Sequence, residues 1–291
     1  MPGKQKARTD APAALRVAFQ GEPGAFSQMA ITQLLGERVS AVPCQTFDQV
    51  FRQLTEGHVD ASLVPIENTL HGSVHENYDH LLRYNLTIVA ETSVRIVHNL
   101  IAPPGVKFRD VRRVYSHPVA LNQCLDFFAT HPRIEKVPYY DTAGSVKMLA
   151  AQKLKDAAAI ASSLSAQIYG CHVLKESIED DRENYTRFFL LRSPDDPQLP
   201  QIETDRPHKM SLVFTTQNVP GALFRALSAF ALRDVSLTKI ESRPLRGKKW
   251  EYLFYLDFLG HSEDNKVRNA LSHLGEIADF LRVLGCYPRG D

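Results

Sequence analysis

At 291 residues, 44% hydrophobic and 23% charged, the chain is long enough for two domains and a sizeable core. A formal net charge of +1, with no basic stripe interleaved with aromatics, gives no field for nucleic acid or an acidic membrane, and no stretch reaches the ~18 apolar residues of a membrane helix. Cys44, Cys124, Cys171 and Cys286 form no CxxC pair and read as reduced thiols, and residues 1–14 lack a signal-peptide apolar run, so the expected location is cytoplasmic.

Residues 1–14, with Lys4, Lys6, Arg8, Pro2 and Pro12, are expected to be a flexible tail. Leu15 to Phe19 is a strand-like run that breaks at Gly21-Glu22-Pro23-Gly24, before a helix from about Ser27 to Leu35. After a short run from Arg38 to Val42, Thr46 and Gln49 form a capping-box pattern ahead of Phe47, Val50, Phe51 and Leu54 at helical spacing. Ala61 to Ile66 reads as a buried strand. Leu86 to Ala102 is extended and rich in β-branched residues, and Val111 to Tyr115 is a strand. A helix is expected over Val119–Thr130, a strand over Lys136–Tyr140, a helix capped by Thr142 to about Leu154, and a strand over Ala157–Ser162. A helix to Tyr169 stopped by Gly170 and a strand over Thr186–Leu191 complete the unit. Strands alternating with helices of this length imply an α/β class with parallel sheets, and two such sets imply two lobes, residues 15–192. Ligands in such sheets lie beyond the carboxyl ends of strands, where the loops at Gly21, Pro65, Ser116 and Thr142 fall.

Four prolines and four acidic residues within 193–208 read as a linker. Residues 209–291 then run strand, helix, strand, strand, helix, strand: the ferredoxin-like βαββαβ plan, with one sheet face to cover and a gain from pairing with a second copy.

Three polar loops stand out. GEPGAFS at Gly21–Ser27 offers two glycines and a helix start suited to an anion, or simply a turn and an N-cap. It is not a dinucleotide fingerprint, since GxGxxG is absent. PIENTLHGSVHENYDHL from Pro65 gathers Glu67, Asn68, Thr69, His71, Ser73 and His75 after a buried strand. Its histidines are four apart but lack a third ligand, and His75-Glu76 with His80 is one residue off HExxH, so a solvated helix start competes with a site and no metal is expected. NYTRFFLL from Asn184 leads Thr186 and Arg187 into an apolar strand. Ser116-His117-Pro118 and Asp141-Thr142 each follow a strand and open a helix; no GxSxG elbow supports a serine triad.

Taken together, GEPGAFS, PIENTLHGSVHENYD, SHPVALNQC from Ser116, DTAGSVK from Asp141, AAIAS from Ala158 and NYTRF from Asn184 resemble the prephenate dehydratase family, over about Arg16 to Arg192. The C-terminal unit resembles an ACT domain, through GALF at Gly221–Phe224 and ESRP at Glu241–Pro244. The resemblance implies a two-lobed, periplasmic-binding-protein-like catalytic domain and conversion of prephenate to phenylpyruvate in phenylalanine biosynthesis, with no cofactor. It implies Thr186 as the central donor, with His75 and Glu67 as further catalytic candidates. Ser27, Asn68, Thr69, Ser116, His117, Thr142, Arg187 and Phe188 are the implied substrate contacts. It also implies a phenylalanine effector held by Asn218, Gly221, Ala222, Leu223, Glu241, Ser242 and Arg243, in a homodimer or homotetramer. Val119 stands where the family usually has Gln, Thr69 where Ser is common, and Gly144-Ser145-Val146 replaces a more alanine-rich segment. The sister activity, arogenate dehydratase, and a non-catalytic amino-acid sensor are the rival readings. No fused chorismate mutase or dehydrogenase domain is expected.

Overall fold

The computed structural model describes residues 14–194, 205–245 and 247–290. The expected tail therefore lies outside the described residues except at its last position, and so does most of the expected linker.

Period-2 burial sets the first lobe. Leu15–Gln20 (β1) turns Val17 and Phe19 to one face, under Ala30 and Ile31 of Phe26–Leu35 (α1). Ala18 turns to the other face, against Val50, Phe51 and Leu54 of the helix Phe47–Thr55. β1 pairs in parallel with Val39–Cys44 (β2) and Ala61–Asn68 (β3). Phe47–Thr55 (α2) is capped by Thr46, whose hydroxyl accepts the Gln49 N–H at 3.2 Å. Gly72–Ser73 (β4) folds back onto β3, His75–Arg83 (α3) follows, and Thr87–Arg95 (β5) leads out of the lobe.

The second lobe comprises Asn99–Ala102 (β6), Arg113–Ser116 (β7), Pro118–Asn122 (α4), Leu125–Thr130 (α5), Glu135–Pro138 (β8), Thr142–Gln152 (α6), Ala157–Ala161 (β9), Ser163–Ile168 (α7) and His172–Lys175 (β10). Its sheet order is β10-β6-β9-β7-β8. The chain then returns to the first lobe as Tyr185–Arg192 (β11), inserted between β3 and β5 and antiparallel to both. Two crossovers joining two sheets give the binding-protein-like arrangement expected from the sequence.

Three expectations need correction. The sheets are mixed rather than parallel, because the returning β11 and the β6–β10 pair run antiparallel. The helix expected over Val119–Thr130 is two short helices, because the Asp180 carboxylate accepts the N–H groups of Leu125 (2.7 Å) and Asp126 (3.0 Å) and starts a new helix there. The cap of α6 is Asp141, not Thr142: its Oδ1 accepts the Gly144 N–H at 2.7 Å.

The C-terminal unit is His208–Thr215 (β12), Ala222–Ala231 (α8), Leu237–Pro244 (β13), Tyr252–Leu259 (β14), Asn265–Ile277 (α9) and Phe280–Pro288 (β15), the expected βαββαβ order. Its sheet joins the first lobe's sheet in one continuous run, β13-β14-β12-β15-β5-β11-β3-β1-β2. The junction is the parallel pairing of Gly285 with Ile88. A Cβ at Gly285 would lie 2.2 Å from the Ile88 carbonyl oxygen, so only glycine permits that approach. The junction is sealed by a shared core in which Val213, Leu253, Tyr255 and Tyr287 pack with Ile88, Phe189 and Leu191.

Candidate active site

A cavity of about 630 Å³ opens between the two lobes. Helix starts surround it: Phe26 opens α1, Thr46 and Phe47 open α2, Val74 precedes α3, and Asp141 and Thr142 open α6. Each start places the positive end of a helix dipole beside the cavity, a field that favours carboxylates, although the Thr46 and Asp141 side chains already accept first-turn N–H groups of α2 and α6. Among the described residues the lining holds no lysine, arginine, serine or cysteine. Anion affinity here must therefore come from the backbone and from side chains such as Thr186, Asn68, His71 and His117.

Of the residues singled out in the sequence, Thr186, Asn68, His117 and Thr142 line this cavity. Asn68 organises one wall. Its Oδ1 accepts the backbone N–H groups of Leu70 and His71, each at 3.0 Å, which fixes the orientation of the amide. Its Nδ2 must then donate, and it reaches Asn184 Oδ1 (2.7 Å), Tyr185 O (3.1 Å) and Thr186 Oγ1 (3.0 Å). Since Thr186 accepts from Asn68, its own O–H remains available to donate into the cavity.

A second chain of contacts was not foreseen. His98 Nε2 lies 2.6 Å from Gln123 Oε1, and Gln123 Nε2 lies 3.1 Å from His71 Nδ1; all three residues line the cavity. Burial pushes the His98 imidazole below its ordinary pKa, against the raising pull of Gln123 and Glu179. A neutral His98 donates from Nε2 to Gln123 Oε1, and the Gln123 amide faces His71 Nδ1, which also lies 3.3 Å from Asn68 Oδ1. His117 is likewise turned: its Nδ1 accepts the Val119 N–H at 3.2 Å. Gln123 reaches the cavity because the break at Asp180 ends α4 beside it.

The lowered pKa of His98 has a measurable consequence. As pH falls through about 6.5 the unfolded chain takes up a proton before the folded one does. The stabilisation is complete above that value and is lost as pH falls toward the lower, folded pKa. Melting temperature should fall between pH 7.5 and pH 5, and His98→Gln should flatten that slope. Identical slopes in the two proteins would remove His98 as the source.

The other residues singled out lie elsewhere. Ser116 is buried and donates to the Ile160 carbonyl at 2.6 Å, and Ser27 is buried in α1. Thr69 donates to Glu183 O (2.7 Å) and accepts from Tyr185 N (2.9 Å), pinning the loop to β11. Phe188 packs in the first-lobe core. His75 is not at the cavity: its Nε2 lies 3.1 Å from Glu241 Oε1. Arg187 and Glu67 belong to an ion network on the opposite side of the strands. Arg187 contacts Asp257 (2.8 Å), Glu67 (3.0 Å) and Glu91 (3.1 Å), and Lys239 Nζ lies 2.8 Å from Glu67. Burial works to raise the Glu67 carboxyl, yet Lys239 and Arg187 hold it below the ordinary range.

Glu22 of the first lobe accepts from Tyr140 Oη, a residue of the cavity lining, and from Lys147 Nζ of the second lobe, each at 2.8 Å, and latches the lobes. Ser162 Oγ adds a contact to Gly24 O at 2.5 Å.

A second cavity, about 200 Å³, lies at the start of α8 and is lined by Asn218, Gly221, Ala222 and Leu223 together with Phe224, Tyr252 and Phe254. The structure does not bring Glu241, Ser242 or Arg243 there. Strand alternation turns Lys239, Glu241 and Arg243 toward the first lobe, where Glu241 accepts from Ser73 Oγ (2.7 Å) and Arg243 Nη2 lies 3.3 Å from Asp79. Ser242 is exposed on the other face.

The prephenate dehydratase family model matches residues 17–196 and the ACT domain model residues 210–276. An Arabidopsis thaliana protein named arogenate dehydratase/prephenate dehydratase 2, chloroplastic, is 46% identical over 283 residues, covering 94% of this chain and 73% of the relative. A prephenate dehydratase from Arthrobacter aurescens, solved in complex with L-Phe, shares 35% identity at a TM-score of 0.85, over 94% of this chain and 90% of that one. A structure described as a novel type of quorum quenching acylase shares 34% identity at a TM-score of 0.85, over 94% and 97%. The expected cytoplasmic location does not stand, since the Arabidopsis relative is named chloroplastic. Cysteine spacing and the lack of a signal-peptide apolar run, on which that expectation rested, carry no compartment address.

Proposed function

The chain belongs to the prephenate dehydratase family, and from that membership we propose that it removes carbon dioxide and the ring hydroxyl from prephenate or from its amino counterpart, arogenate. The ring carboxylate leaves as carbon dioxide, its bonding electrons pass through the diene, and the hydroxyl departs with one proton as water. Aromatisation supplies the driving force, so the protein has to orient the substrate and assist the leaving hydroxyl.

The observation that carries the reading is the Asn68-fixed Thr186 hydroxyl, facing a cavity ringed by helix starts. The helix starts suit a substrate with two carboxylates; Thr186 suits a hydroxyl that leaves. His71 and His117 offer further N–H donors at the same wall. Amide hydrolysis, the activity in the description of one similar structure, calls for a nucleophile activated by a base; the Thr186 hydroxyl is bonded to the Asn68 amide, not to a base.

The division into a catalytic unit, 15–192, and a regulatory unit, 209–291, belongs to the same proposal. So does phenylalanine as the effector in the cavity at Asn218–Leu223, supported by the ACT match and by the L-Phe complex of the Arthrobacter protein. Pairing of two copies would cover exposed Phe224 and Ile240. Purified protein should yield phenylpyruvate from prephenate or phenylalanine from arogenate, and added phenylalanine should lower the rate. Turnover of neither substrate would sink the enzyme reading.

A further inference from the structure

We infer that Asp141 sets the specificity of the cavity, pairing with an α-ammonium on the substrate side chain and disfavouring an α-keto oxygen in its place. The inference rests on the dehydratase reading and deepens it, since prephenate and arogenate differ only at that carbon.

Helix starts attract the two carboxylates that both substrates share, and so cannot tell the substrates apart. Discrimination needs a group whose interaction changes sign between a keto oxygen and an ammonium, and a carboxylate changes it most. Among the described lining residues there are two, Glu76 and Asp141. The Glu76 side chain is 60% exposed and turned toward His80, where water screens it. Asp141 is partly buried, and its position is fixed by the cap bond to Gly144 N–H.

Its charge is poorly compensated. Burial raises the Asp141 carboxyl, the amides of Gly144 and Ala143 and the His117 ring pull it down, and Glu22 pushes it up further. The lysine on the same helix, Lys147, is bound to Glu22 at 2.8 Å, and among the described residues no ion pair engages Asp141. A carboxylate in this setting gains from a ligand cation and is opposed by a ligand oxygen that carries partial negative charge.

Placement agrees. In either substrate the departing hydroxyl and the side chain stand at opposite ends of the ring. Thr186 lies on β11 of the first lobe, and Asp141 lies at the start of α6 in the second. A ring with its hydroxyl at Thr186 directs its side chain away from that wall, toward the second lobe.

The test compares kcat/KM for arogenate and prephenate in wild type, Asp141→Asn and Asp141→Ser. Both replacements keep an acceptor for the helix cap, so two chances of a folded, uncharged variant exist. The arogenate-to-prephenate ratio should fall at least tenfold in each folded variant, mainly through the KM for arogenate. An unchanged ratio in a folded variant overturns the assignment, whatever happens to the absolute rates, while wild-type turnover leaves the dehydratase reading standing. Wild type inert toward both substrates removes the reading and the inference together.

Discussion

Thr186→Ala should lower kcat/KM on the better substrate by about 10²–10³, the loss seen when one preorganised donor is removed from a developing oxyanion. The expectation comes from hydrogen-bond direction. A threonine hydroxyl is a poor acid, and a bare one would rotate and share its proton with any acceptor. Here Asn68 Nδ2 occupies its acceptor side at 3.0 Å, and the Asn68 amide cannot flip without facing the Leu70 and His71 N–H groups with a second donor. The remaining proton is thus aimed into the cavity before substrate arrives, with little reorganisation left for the reaction itself. Thr186→Ser keeps that donor and should retain most of the rate. The fall should appear in kcat rather than KM, because the bond strengthens only as the hydroxyl acquires charge. Near-full turnover in a folded Thr186→Ala protein would move the donor role to His71 or His117 at the same wall.

Much of this wall was legible in the sequence because its residues sit in local patterns. Thr186, Asn68, His117 and Thr142 each mark the junction of an apolar strand with a polar loop or a helix start, and period 2 or 3.6 finds such junctions. Gln123 and His98 had no such signal. Gln123 sits where the apolar spacing of Leu121, Leu125 and Phe128 predicts an unbroken helix. It becomes a helix end only because Asp180, 55 residues from Leu125, caps a new start. His98 lies in an extended run, and its burial at the cavity wall is a tertiary fact that a local pattern cannot report. Glu241 and Arg243 failed differently. Their alternation with Ile240 and Ser242 was readable as one charged strand face, yet the face turns inward to the catalytic unit because Gly285 lets β15 add to β5. No local feature of ESRP encodes that junction. The same junction explains why His75 faces Glu241 rather than substrate.

Arg187→Met should cost about 3–5 kcal/mol of folding stability, the range for breaking a buried ion network by removing one partner. In the sequence Arg187 follows Thr186 and invites a role as a substrate-carboxylate clamp. Strand alternation rules otherwise: the two side chains leave opposite faces of β11, and the Arg187 side chain is only 14% exposed. Burial would lower its pKa, but Asp257, Tyr78 and Glu91 keep the guanidinium charged, well above its ordinary value. The carboxylates it serves are themselves buried, Glu91 at 2% and Asp257 at 6% side-chain exposure. Lys209 would still neutralise Glu91 at 2.8 Å, and Ser211 Oγ would still donate to Asp257 at 2.6 Å. Neither replaces the planar group that bridges them. Arg187→Lys keeps one charge and loses the bridging geometry, so its cost should be smaller. Because Glu67 and Glu91 come from the catalytic unit and Asp257 from the C-terminal sheet, Arg187 also ties the two cores together. Calorimetry should therefore show a lower transition in the methionine variant, and one that separates toward two steps where wild type gives one. A variant that melts within a degree of wild type would mean that the three carboxylates are hydrated in solution and that the fused sheet is held by its apolar seam alone.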